Sequence, residues 1–491
     1  MIHSPSDGRS GSGVRRDLDG WIYVRVEGAP YDRGWHHGYL LASEIRNALS
    51  SIDALLWHDT ALPFSWYAAN ARAMWLERMA GDNGGKLADG TGVATLDELR
   101  GIMDGANTRR IDNDRWISID DLLAWNGYPE MICQWQPGVL SGILKPLVPV
   151  PGDPGRLEAL VGRVRLGQQH YFHPHHCSAF VATGDWTADR GIVSAHTTWQ
   201  RFANGDFYNV VLHIVPPDAE GFPILMQTAP GYVASSMDFG LNSAGLAVSS
   251  TSINVSGFDQ GGLPYFLRAR RAGQRAATIE CWIDLFRQGN NGGYANTWLL
   301  AEAATNRIAA YELTTAHEEQ QPILSSGFYC SCNIPFSTPT RVLEAGGAGY
   351  DNILQSGGRR VRFEQLMAQH KGAIDGALAQ TILADHFDLY RNACTPSGRS
   401  ICGHYDVDDG ALPSGHTPFH PFGSLDGKVI AGAIVGAPAM EARWGRACGT
   451  PFDAGAFFAR HPQYRWMQPW TRDRPARPWC TFPPELDQGK P

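Results

Sequence analysis

The stretch that most constrains this chain is residues 170–199, HYFHPHHCSAFVATGDWTADRGIVSAHTTW. Four histidines crowd the approach to one cysteine, Cys177. An apolar run, Ala179 to Ala182, follows it. A polar turn from Gly184 to Arg190 comes next, then a second run that delivers His196, Thr197, Thr198 and Trp199. Two short runs rich in β-branched and aromatic residues around a polar turn predict a β-hairpin. In an antiparallel pair, the start of the first strand lies beside the end of the second. The hairpin therefore brings a thiol, an imidazole and an indole together. Cysteine also serves as a small buried hydrophobe, so the hairpin alone does not assign chemistry to Cys177.

With 491 residues, 43% hydrophobic and 18% charged, the chain can bury a sizeable core. Its formal net charge of −8 leaves no basic stripe for a nucleic-acid backbone. The arginine clusters at 268–271 and 359–362 are short enough to be helix faces or anion contacts. The nine cysteines are scattered, and Cys330-Ser-Cys332 is a poor zinc or redox signature. Neither a secretory h-region nor a run of about 18 apolar residues occurs, so the expectation is a cytoplasmic protein without membrane insertion.

Along the chain, residues 1–18 are polar and glycine-rich and are expected to be disordered. A strand is predicted from Trp21 to Val26, then a helix capped by Asp32 that carries Gly34 and Gly38, glycines spaced for close helix packing. Further helices are expected over Ser65 to Met79, Leu96 to Ala106 and Ser118 to Trp125. The last starts with a capping-box pattern, Ser118-x-x-Asp121. Gly138 to Arg156 reads as an exposed connection or lid. After the hairpin, strands are predicted at Asn209–Val215, Ile224–Thr228, Gly231–Phe239 and Gly245–Ile253. One long helix is expected over Pro264–Arg287, a hairpin turning at Thr305-Asn306, and helices over Arg359–His370 and Ile374–His386. The tail from Pro451 is expected to wrap the surface. Strand runs bracketed by helices give an α+β class with layered sheets.

A cysteine nucleophile needs a base and an oxyanion holder. Cleavage between His176 and Cys177 would supply a base, because the freed α-amino group has a pKa of about 7.7–8. Four places carry a resemblance: GAPYDRGWHHGYLLASEI with DLLAWNGYPEM, Cys177-Ser178 followed by His196-Thr-Thr-Trp199, GLAVSSTSI with YANTW, and SICGHYD, GSLDGKV, CGTPF and HPQYRWM. Together they resemble the N-terminal-nucleophile (Ntn) hydrolases, in the branch of the phospholipase B-like proteins and penicillin acyltransferase-type acyltransferases.

That resemblance implies an αββα four-layer sandwich with a helical pro-segment. Residues 1–176 would be the leader and 177–491 the catalytic domain, cut before Cys177. It implies Cys177 as nucleophile, Asn296 in the oxyanion hole, and His196, Trp199 and Thr251 at the pocket. His196 is either catalytic or structural. An arginine is also implied, for which Arg341, Arg359 and Arg360 compete; Arg360 is taken. Animal members are lysosomal, so their location does not transfer to a chain without a signal peptide.

The implied activity is hydrolysis or acyl transfer at an amide or ester of an acylated substrate, through a Cys177 thioester, with no cofactor. The cleaved fragments would stay associated, and a homo-oligomer is compatible. Trp199, Phe202, Tyr208, Tyr232 and Phe239 are aromatic residues available to a pocket mouth or to the core. The alternatives are a zinc site on His170, His173, His175 and His176, or a non-catalytic protein that keeps the fold.

Overall fold

The structure is a computed structural model that describes residues 1–5, 8–81, 87, 89–136, 176–235, 238–255, 257–345, 349–410, 417–432 and 434–485. The lid segment and the side chains of the histidine loop, His170 to His176, lie outside the described residues. Two large sheets dominate. The first has the spatial order β1 (Ile2–His3), β2 (Gly13–Leu18), β3 (Trp21–Glu27), β6 (Val210–Val215), β7 (Ile224–Thr228), β8 (Phe239–Asn242), β9 (Leu246–Ser252), β10 (Asn296–Glu302), β11 (Arg307–Leu313) and β12 (Glu318–Gln320). The second has the order β13 (Gly327–Ser331), β4 (His176–Thr183), β5 (Val193–Arg201), β17 (Asp426–Ala431), β18 (Met440–Trp444) and β19 (Cys480–Phe482), with β16 (Phe422–Ser424) on the end of β5. A short hairpin, β14 (Phe387–Asp388) and β15 (Ala393–Cys394), stands apart. This is the mixed α and β class expected.

Alternation along each strand explains the packing. Ala179 and Val181 of β4 join Val211, Leu225, Leu241 and Leu299 in a core between the two sheets. Phe180 and Ala182 point the other way, onto helices Ser356–Gln369 and Gly376–Leu383. On its far side the first sheet is covered by helices Pro30–Leu40, Ala42–Thr60, Thr91–Thr108 and Ile119–Asn126 at one end, and by Tyr265–Arg275 and Ile279–Arg287 at the other. No helix among the described residues is long and apolar enough to cross a membrane.

The described part of the chain before β4 is woven into this frame. β3 runs parallel to β6, with Ile22 opposite Val210 and Val26 opposite Ile214. The buried Glu98 accepts from Arg33 Nε at 2.7 Å, before Cys177 in the chain, and from Arg270 Nη2 at 2.9 Å, beyond it. Asn126 accepts from the Val233 amide and donates to the Gly231 carbonyl. Removing one partner of such a buried charge network is costly, about 3–5 kcal/mol.

Several expectations need correction. Residues 13–18 are not disordered: they form β2, paired along its length with β3. Asp32 does not cap its helix, which starts at Pro30; its carboxylate instead accepts from the Ser10 amide. Gly231 to Ser235 and Asp238 are not strand, because Gly231 and Asp238 both sit at positive φ and Tyr232 to Ala234 turn into the core. The long helix after Pro264 is two helices, the second capped by Thr278. Part of the tail is core, with Phe457, Phe458, Tyr464 and Met467 buried and β19 completing the second sheet. The capping box at Ser118 and Asp121 is present as read.

Helices Pro30–Leu40 and Thr91–Thr108 touch backbone to backbone. A Cβ on Gly34 or Gly38 would lie 2.1 or 2.0 Å from the carbonyl oxygens of Glu98 and Ile102; Gly101 and Gly105 face Tyr31 and Trp35 carbonyls in the same way. Gly38→Ala is therefore expected to cost about 2–3 kcal/mol through overpacking. Gly273→Ala, whose Cβ would meet only Ile224 Cδ1 at 3.8 Å, should be neutral or stabilise by up to about 1 kcal/mol. Thermal melts of the two variants check the contrast; equal effects would contradict it.

Candidate active site

Cys177 is the second residue of β4, directly opposite Thr198 of β5, while Ala179 is opposite His196 and His176 opposite Trp199. The hairpin thus sets the register the sequence called for. Cys177 and His196 lie on the face turned toward the first sheet, where β8 and β9 pass. Cys177 Sγ, a His196 ring nitrogen and an Asp238 carboxylate oxygen all lie within 4.8 Å of one another, and all three residues are buried. Asp238 was not foreseen. It precedes β8 at φ +64°, a conformation that aspartate tolerates better than most residues.

Burial sets the electrostatics. It pushes the Cys177 thiol well above its ordinary range, with the nearby Asp238 adding to the shift. Burial also holds His196 far below the usual imidazole value, and Lys428 reinforces this. His196 is therefore neutral. Its Nε2 lies 2.9 Å from the Ser250 carbonyl, which can only accept, so Nε2 carries the proton. Nδ1 is left as a lone pair with no hydrogen-bond partner among the described residues. Asp238 is raised to about 7 by burial, against a hydrogen bond from the Tyr294 hydroxyl at 2.8 Å. Its Oδ1 also has no partner among the described residues.

Behind these groups, Lys428 donates to Thr198 Oγ1 at 2.7 Å and to Gln227 Oε1, and lies 3.3 Å from Asp426. Asp426 in turn accepts from the Thr198 amide at 2.9 Å. Lys428 is opposite His196 in register. Its positive charge acts on Cys177, His196 and Asp238 alike.

The backbone of Cys177 is gripped from the other side. Its N–H donates to Asn333 Oδ1 at 2.8 Å. Its carbonyl accepts from Arg359, which also donates to Ser178 Oγ, the Cys332 carbonyl, Asn333 Oδ1 and Ser356 Oγ. The Arg359 guanidinium lies 4.3 Å over the Trp199 ring. Asn333, at φ +68°, is held by Thr251 Oγ1, which accepts its N–H at 3.0 Å, and by its own Nδ2 donating to the Ser252 carbonyl.

Of the residues singled out from the sequence, Cys177, His196, Thr251 and Trp199 are thus brought together. Arg360 is not: it pairs with Glu364 and stacks on Tyr350, and the arginine that reaches Cys177 is its neighbour Arg359. Asn296 is buried, but its Nδ2 donates to the Tyr294 carbonyl, whereas the amide side chain in contact with Cys177 is that of Asn333. Asn333 follows Cys330-Ser-Cys332 directly, and no local pattern marks it. Phe202, Tyr208 and Tyr232 are core, the last two packed around Trp125. Phe239 lines an apolar cavity of about 70 Å³ beside Asp238, with Met226, Leu241, Val248 and Trp298.

The raised Asp238 carboxyl has a stability signature. Its folded value lies above the ordinary one, so its neutral form stabilises the fold at low pH, and that contribution is lost as pH rises toward about 7. Asp238→Asn removes the titration. Relative to Asp238→Asn, the parent chain should lose melting temperature progressively between about pH 4 and 7. Parallel pH profiles would contradict the buried placement.

A family profile described as Phospholipase B matches residues 91–475. Phospholipase-B 81 of Drysdalia coronoides is 23% identical over 215 residues, 40% of this chain and 38% of that protein. Phospholipase B-like 1 of Bos taurus is 26% identical over 186 residues, 33% of each chain. Phospholipase B-like protein F of Dictyostelium discoideum is 28% identical over 156 residues, 30% of this chain and 26% of that protein. The matched stretches span less than two-fifths of these relatives' own lengths. With most of its length under one profile, and the Cys177 cluster inside that span, this chain belongs to the phospholipase B family.

Proposed function

We propose that the chain is an Ntn hydrolase in which Cys177 becomes the N-terminal nucleophile and attacks acyl carbonyls, most naturally the ester of a lipid. The observation that carries this is the convergence of Cys177, His196 and Asp238 at the start of a central strand, with Asn333 and Arg359 holding the Cys177 backbone. Helices on the outer faces of two packed sheets support the αββα sandwich of that superfamily. The relatives' names supply the lipid substrate class.

Maturation would proceed by attack of Cys177 Sγ on the His176 carbonyl carbon. The C–N bond breaks, the Cys177 nitrogen takes up the thiol proton and leaves as an amine, and water hydrolyses the thioester. The His196 Nδ1 lone pair is the proton acceptor available before cleavage. After cleavage the α-amino group, held by Asn333 Oδ1, takes over as base. In turnover, Sγ attacks the substrate carbonyl, the leaving group departs with the proton, and water releases the acyl product. Arg359 is a buried cation with no carboxylate within ion-pair distance among the described residues, so it stabilises negative charge developing near Cys177. The apolar cavity beside Asp238 is suited to the acyl chain, where each buried CH₂ adds about 0.8 kcal/mol. The fragments 1–176 and 177–491 would remain associated, because β3 and Glu98 are bound into the sheet and core.

Gel analysis and acyl-ester kinetics test this reading. The parent chain should appear as two associated fragments and Cys177→Ala as one band. Asn333→Ala should slow turnover by about 100-fold or more, and kcat/KM should climb with acyl length until the cavity is full. A Cys177→Ala protein with unchanged hydrolysis would overturn the proposal. A 100- to 1,000-fold loss in Asn296→Ala with Asn333→Ala unaffected would support the oxyanion role for Asn296 and remove Asn333 from the mechanism.

A further inference from the structure

Away from Cys177, a second cluster has no part in the chemistry above. His386 follows helix Gly376–Leu383, Cys402 and His404 lie in the loop after β15, and Cys448 sits in the turn after β18. One donor atom from each of the four lies within 4.8 Å of the others. His386 Nε2 is 3.1 Å from His404 Nε2, and His404 Nε2 is 3.4 Å from Cys402 Sγ and 3.5 Å from Cys448 Sγ.

Hydrogen bonding alone does not account for this crowding. A ring nitrogen offers either one N–H or one lone pair, yet three groups approach His404 Nε2. A shared cation would draw the same four atoms together. Tetrahedral zinc has Zn–N of about 2.0–2.1 Å and Zn–S of about 2.3 Å, which puts nitrogen pairs about 3.3 Å apart and nitrogen–sulfur pairs about 3.6 Å apart. The observed separations match within a few tenths of an ångström. Cys402 and His404 are buried and His386 and Cys448 are half-buried, so four protein ligands can close the shell. The Thr450 amide donates to Cys448 Sγ at 3.4 Å, an outer contact suited to a thiolate.

We propose that His386, Cys402, His404 and Cys448 form a structural zinc site. Two thiols would release their protons on binding, so that two thiolates and two neutral imidazoles around Zn²⁺ carry no net charge into the interior. Soft sulfur with imidazole in a closed tetrahedron favours zinc over magnesium or calcium. The site would join three segments distant in sequence. One of them bears on the active site: a Cβ on Gly403, between two ligands, would lie 2.7 Å from the Trp199 ring, the same ring that Arg359 covers. The metal would thus brace the Trp199 wall without taking part in the reaction.

The test is metal analysis of the full chain, purified without chelator, offered zinc and desalted. About one zinc per chain is expected, as for a closed four-ligand site. It should be kept in Cys177→Ala and lost in Cys448→Ser and in His386→Ala. Since such variants can fail to fold, the unaltered chain is also loaded with Co²⁺. Intense tetrahedral d–d bands with thiolate charge transfer support the site. Absence of bound metal while both thiols are reduced, an octahedral cobalt spectrum, or a Cys402–Cys448 disulfide found by mass spectrometry would overturn it.

Discussion

The Arg359 guanidinium is the hub on which the site depends. Fully buried, it donates to the carbonyls of Cys177 and Cys332, to Ser178, to Asn333 and to Ser356. Isolated charge is expensive to bury, and these acceptors together with the Trp199 ring offset that cost. The guanidinium thereby ties the start of β4 to the end of β13 and to helix Ser356–Gln369. It holds the Cys177 carbonyl directly and the Cys177 N–H through their shared acceptor, Asn333 Oδ1. A planar, five-donor cation is needed for so many acceptors at fixed angles; lysine offers three donors on a flexible stem.

The second constraint is burial. It raises the Cys177 thiol, keeps His196 neutral and brings Asp238 to about 7. Before any cleavage the site holds a protonated thiol beside an imidazole whose free nitrogen is aimed at no other described partner. Such a site is quiescent toward bulk solvent. It is suited to one intramolecular attack at the adjoining peptide bond, and cleavage would give it the amine base it lacks.

The hairpin was legible in the sequence because two runs rich in β-branched and aromatic residues flank a polar turn at Gly184 to Arg190, which sets their ends side by side. The same local logic found β7, β11, the Ser118 capping box and the close helix pair at Gly34 and Gly38. What escaped was set by contacts distant in sequence. Asp238 enters the site only because the chain turns through positive φ at a place that reads as strand. Asn333 acts from a segment 156 positions beyond Cys177, and nothing local marks it. Arg359 and Arg360 are indistinguishable by composition; the helix face each occupies decides between them. Residues 13–18 look disordered by composition, yet β3 offers them an edge to pair with. The Cys402, His404 and Cys448 cluster lacks the short cysteine spacing of common zinc motifs, so only the fold assembles it.

The central claim is that Cys177 carries the acyl group as a new N-terminus. Mass spectrometry of protein mixed with an activated acyl ester and quenched in acid addresses it directly. The account predicts a fragment that begins at Cys177 and carries one acyl group on that residue. Continued hydrolysis by an intact chain, with acylation elsewhere or on no cysteine, would contradict it.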